Sequence, residues 1–90
     1  MLIIKKHNLH ELKQYGFKES VFSDKWKMEP CWYLNCSVGI TILVFTNEIK
    51  NSDFAYVRII NRDVDTYART APDVLLDLIT NGIVEKEREN

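Results

Sequence analysis

The residues of this 90-residue chain best suited to metal or redox chemistry are its two cysteines, Cys31 and Cys36, and its two histidines, His7 and His10. The cysteines bracket the stretch CWYLNC. A redox pair would need the spacing C-x-x-C ahead of a helix, and neither is present. A zinc centre could draw on His7 and His10, three residues apart at a helix start, together with the two thiols as a nominal Cys2His2 set. The C-x4-C spacing lacks the tight knuckle of the usual C-x2-C. The stretch also reads as a strand, with Trp32, Leu34 and Cys36 on one side and Cys31, Tyr33 and Asn35 on the other. Residues five apart on a straight strand point to opposite faces, so the thiols can neither bond each other nor share an ion. On this reading Cys36 is a small buried hydrophobe. Cys31, next to Pro30, is expected near a sheet edge as an accessible free thiol.

Other chemistry has less to stand on. There is no G-x-S-x-G, no P-loop and no Gly-rich phosphate turn, and the chain has only three glycines. Asp63 and Asp65 share a strand face by spacing and form a candidate carboxylate pair, a pattern that solvated turn acids produce equally well. No histidine is placed beside either cysteine by the sequence. The expectation is a protein that is not an enzyme and needs no cofactor. Lys25, Trp26 and Lys27, followed by Trp32 and Tyr33, interleave bases with aromatics, as a nucleic-acid stacking platform does. The same residues suit a protein-binding surface, the commoner use of Trp and Tyr in a small sheet domain.

The net charge of −1 favours neither partner, but its distribution is uneven. Residues 1–27 hold six lysines and three acids, whereas residues 28–90 hold six basic and ten acidic residues. Leu2-Ile3-Ile4 is too short for a signal core, and Lys5-Lys6 follows it instead of preceding it. No apolar run approaches a membrane span. A cytoplasmic protein is expected, with no membrane partner.

The elements that must position these residues are marked by their ends. A short helix over about 8–15 is expected, with Asn8 as its cap, Glu11 as the capping-box partner, Leu9 and Leu12 as its apolar side and Gly16 as its stop. Phe17 is then placed to touch Leu12. A second helix over 73–81 follows the same grammar. Thr70 caps it, Pro72 lies in its first turn, Val74, Leu75, Leu78 and Ile79 form its apolar stripe, and Gly82 ends it with Ile83 against Leu78. Between them, 40–46 and 54–60 predict an antiparallel hairpin across the turn-forming residues 47–53. Residues 40–45 are apolar on both faces, which points to a central strand. A strand over 31–36 precedes the hairpin, and a weaker one lies within 17–28.

The two ends, LHELKQYGFK (9–18) and DVLLDLITNGIVEKE (73–87), resemble small phage- and prophage-encoded proteins of Gram-positive bacteria that open with a short helix ending in YGF and close with a helix reading DLI-x-x-G. The resemblance covers about 25 residues of helix punctuation and packing. It implies a phage or prophage origin and an α+β domain, and it carries no catalytic or ligand residue.

The expected molecule is thus one α+β domain over 1–84 with a charged, mobile tail over 85–90. An antiparallel sheet of three to four strands packs against the C-terminal helix, with a short N-terminal helix at one edge. The expected function is that of a non-catalytic accessory protein acting by protein–protein interaction, self-association included. A nucleic-acid module using 25–33 is the alternative, and a zinc domain the minor one.

Overall fold

The computed structural model describes residues 1–24, 27–62 and 69–88. It is an α+β fold built on one six-stranded antiparallel sheet. The elements are β1 (Leu2–Lys5), a 3-10 helix (Lys6–Tyr15), β2 (Lys18–Asp24), β3 (Lys27–Cys36), β4 (Ile40–Phe45), β5 (Phe54–Asn61), α1 (Ala71–Thr80) and β6 (Val84–Lys86). The strands lie in the order β2-β3-β4-β5-β1-β6, and every pairing is antiparallel.

The sheet is larger than the three to four strands the sequence suggests. The hairpin of β4 and β5 is as expected, with Ile42 opposite Ile59 and Val44 opposite Val57. β4 is central: Thr41, Ile42, Leu43 and Val44 are all buried, so both faces of the strand are covered. Cys36 and Ile40 close a separate β3–β4 hairpin over Ser37–Gly39, so the strand expected over 31–36 turns back antiparallel into β4. The strands not expected are β1 and β6. β1 pairs with β5 on one side and β6 on the other, and the β6 pairing takes Glu85 and Lys86 into the sheet. The sheet therefore runs past residue 84, into the segment expected as tail.

One face of the sheet holds the core. Ile4 of β1, Ala55 and Val57 of β5, Ile42 and Val44 of β4, Trp32 and Cys36 of β3 and Val84 of β6 pack in one cluster with Leu9 and Leu12 and with Val74, Leu75 and Leu78. Among the described residues both helices sit on this face.

α1 follows its sequence signals. The Thr70 side chain accepts a hydrogen bond from the Asp73 N–H, Pro72 occupies the first turn, and Ile83 N–H donates to Leu78 C=O at 2.9 Å, with Gly82 left-handed at φ 73. The stripe is narrower than the spacing suggests, because Ile79 is 45% exposed. The N-terminal segment departs more. It is a 3-10 helix, it begins at Lys6, and Lys5 stands at the cap with no side-chain hydrogen bond, so Asn8 is not its cap. Its end is as expected: Phe17 N–H donates to Leu12 C=O at 3.2 Å and Gly16 N–H to Lys13 C=O at 3.1 Å. The Asn81 amide donates to the Tyr15 hydroxyl at 2.9 Å, which ties the ends of the two helices together.

Candidate functional site

β2 and β3 form a long hairpin that projects beyond the helical layer. Its base is held by Trp32, which packs with Phe17 in the core. Further out neither helix reaches. Val21, 52% exposed, and Met28, 74% exposed, lie on the helix-bearing side, as the pairings Val21↔Pro30 and Ser23↔Met28 require given Trp32 on that side. Phe22 points to the other side, where its ring meets Phe45 edge-on at 5.5 Å. Adjacent Val and Phe in a strand put one apolar residue on each face. A strand interior to a sheet would bury both, but β2 is the outermost strand and both remain exposed.

The backbone of β2 carries a second feature. Thr46 N–H donates to Pro30 C=O at 3.1 Å, which fixes the even-numbered residues of β3 as those whose backbone groups face β4. Cys31, Tyr33 and the other odd residues therefore face β2. Their partners are Lys18, Ser20 and Phe22. It follows that Glu19, Val21 and Ser23 direct their N–H and C=O groups away from the sheet. Among the described residues no strand lies beyond them. Pro30 fits the same frame. Its missing N–H faces the β4 side at the point where the β3–β4 ladder begins, so little pairing is forfeited.

The two thiols lie on opposite faces, as the odd spacing requires. Cys36 is in the core, and Cys31 lines a cleft of about 350 Å³ on the other face with Ser20, Phe22, Tyr33, Leu43 and Arg62. The expectation of an accessible Cys31 at an edge is corrected: β3 lies between β2 and β4, and Cys31 is only 4% exposed. Burial pushes both thiols above the ordinary value of 9.0. For Cys31 a hydrogen bond from the Phe22 backbone and the charge of Arg62 offset part of that rise. Neither thiol is poised as a nucleophile.

The structure does not bring the nominal zinc ligands together. His7 and His10 are exposed on the 3-10 helix while the thiols are buried on two faces of β3. Among the described residues no three His, Cys, Asp or Glu side chains are grouped to hold a metal ion.

The basic-aromatic set is divided as well. Trp32, 8% exposed, packs in the core, and Tyr33 lies half-buried on the opposite face, so the two do not make one stacking surface. Lys25 and Trp26 lie outside the described residues, as do Asp63 and Asp65. Lys27 belongs to β3. Neither composition nor motif marks Val21, Phe22 or Met28. The signal that could have found them is the pair Val21-Phe22 inside a strand otherwise made of polar residues, which leaves each apolar side chain with little of its own kind around it.

No described helix is long and apolar enough to cross a membrane. No protein-family model, curated protein or solved structure matches this chain.

Proposed function

We propose that this protein is a non-catalytic accessory domain that acts by binding protein through its β2–β3 hairpin, in the setting of a phage or prophage suggested by its helix-end motifs. The observation that carries this reading is the coincidence of exposed apolar side chains with an open strand edge. Val21 and Met28 stand exposed on one side and Phe22 on the other, beside the outward N–H and C=O groups of Glu19, Val21 and Ser23. Edge strands are normally short, charged or covered, because a row of unpaired backbone groups invites another strand. The opposite edge obeys that rule, since β6 has three residues and two of them, Glu85 and Lys86, are charged. β2 has seven residues and apolar side chains at its centre. Strand addition supplies affinity through the backbone, and flanking side chains supply selectivity.

The test is affinity capture with the tagged protein from phage-infected Gram-positive cells, run beside a Val21→Lys/Met28→Lys variant. Both positions are exposed, so the variant should keep its circular dichroism and melting temperature. A partner retained by the native protein and lost by the variant supports the reading. Capture that is identical for the two proteins removes the hairpin from it. A salt-dependent shift of labelled single-stranded or duplex nucleic acid, undiminished in the variant, would point instead to phosphate recognition elsewhere on the molecule.

A further inference from the structure

We propose that the β2 edge binds the β2 edge of a second copy of this chain, antiparallel about a two-fold axis through Val21, to give one continuous sheet of twelve strands. This deepens the hairpin reading and rests on it. The strand is KESVFSD, residues 18–24. Antiparallel self-pairing centred on Val21 sets Val21 opposite Val21, Ser20 opposite Phe22, Glu19 opposite Ser23 and Lys18 opposite Asp24. The sequence therefore carries a base at one end of the strand and an acid at the other, so each end of the paired strands brings together opposite charges. Opposed charges across a ladder are favourable and like charges are not.

The backbone selects the same register. Glu19, Val21 and Ser23 are the residues whose backbone groups face outward, as the β3 pairing establishes. In the register centred on Val21 these residues meet only one another: 21 with 21, and 19 with 23 in both directions. Every outward N–H then finds a C=O, in six hydrogen bonds. A centre between two residues would set outward groups opposite inward ones, and a centre on Ser20 or Phe22 keeps outward groups together but makes only four of these bonds within the strand. The arrangement is isologous and closes at two copies. The axis runs perpendicular to the sheet, so the helical layers of both copies lie on one face and the exposed Val21 side chains cover each other there.

Three measurements test it. Sedimentation of the native chain up to submillimolar concentration should show a dimer. Val21→Lys, which sets two lysines together on the axis, should weaken it at least tenfold. Val21→Pro should do the same without unfolding the chain, because the lost N–H faces outward and is not used by β3. Under a mild oxidant Val21→Cys should form a disulfide-linked dimer, since the paired Cα atoms lie ~5.5 Å apart. Glu19→Cys should not, because its two copies stand four residues apart along the ladder, ~13 Å. Finally, Lys18→Asp and Asp24→Lys should each dimerise poorly alone at low salt and combine when mixed, because the mixture restores opposite charges at both ends.

A native chain that stays monomeric overturns the proposal, and so does a dimer that survives Val21→Lys and fails to cross-link through Val21→Cys. The hairpin reading fails separately. If the chain is monomeric but captures a different protein that the Val21→Lys/Met28→Lys variant loses, the surface stands and the second copy does not.

Discussion

Cys31 and Cys36 show how far a single residue's role follows from spacing. The odd separation assigns them to opposite faces, and the structure agrees. Accessibility depends on what lies beside the strand, which spacing cannot report; β2 covers the side where an edge was expected. In the native state both thiols should react slowly with a thiol reagent, Cys31 ahead of Cys36, because Cys31 borders a cleft while Cys36 is fully buried in the core. A fast, stoichiometric reaction at Cys31 would mean that β2 does not hold its place. The Ser variants should differ as well. Cys36→Ser shortens the reach to the Leu34 C=O, which the Cys36 thiol meets at 3.8 Å, leaves the hydroxyl poorly bonded among apolar neighbours and should cost about 1–3 kcal/mol. Cys31→Ser should cost less, since the Phe22 backbone offers a partner. The thiols also link stability to pH. Burial raises both folded values above 9.0, so the folded state keeps its protons where the unfolded chain loses them. Their contribution is complete below pH 9 and is lost as pH rises above it. The melting temperature should decline above pH 9, and the decline should be shallower in Cys36→Ala.

The elements were legible where their ends are written in side-chain chemistry. Thr70, Pro72 and Gly82 mark α1, and its face can be tested directly. Leu78 is fully buried and Leu78→Ala should lower stability by roughly 2–4 kcal/mol, whereas Ile79→Ala, at a half-exposed position, should cost less than about 1 kcal/mol. Equal losses would mean that the stripe is rotated from the face assigned here. The β3–β4 turn was not legible because its chemistry contradicts its geometry. Val38 has φ 67, a left-handed conformation that β-branched residues resist, and its side chain is 89% exposed with little packing in return. Val38→Asn should therefore raise stability by about 1 kcal/mol in chemical denaturation, since Asn tolerates this region. Gly39, next to it, has φ 71, and a Cβ there would stand 2.9 Å from the Arg62 carbonyl oxygen. Gly39→Ala should accordingly cost more than Gly82→Ala, whose Cβ meets nothing within 4 Å. β1 was hidden for a different reason: Leu2-Ile3-Ile4-Lys5 is too short to display a period, and it becomes a strand through partners 49 or more residues away. The 3-10 helix was half legible. Its end is fixed by Gly16, but its start depends on β1, which delivers the chain at Lys5 without a capping side chain.

At the scale of the whole molecule, the two sheet edges explain why the chain ends matter. β1 is apolar and lies one strand in from the edge, and only β6 keeps it there. β6 is bound by few groups: the pairs Leu2↔Lys86, Ile3↔Glu85 and Ile4↔Val84, the Glu87 N–H to Met1 C=O bond at 2.7 Å, and the Tyr56 hydroxyl donating to the Glu87 carboxylate at 3.2 Å. Ending the chain after Val84 removes most of these and leaves Ile3 and Ile4 on an outermost strand. At a net ~1 kcal/mol for each hydrogen bond lost, the truncated domain should be less stable by roughly 2–3 kcal/mol, a large share of what a chain of this size holds. The exposed β1 edge should also associate. To keep that association separate from pairing through β2, the truncation belongs in the Val21→Lys background. There the full-length chain should remain monomeric, and the truncated chain should scatter light increasingly with concentration. If instead both keep the same melting temperature and the same mass, β6 is not the cover that protects β1, and the protection must come from the charges of Lys5 and Lys6 at the strand's end.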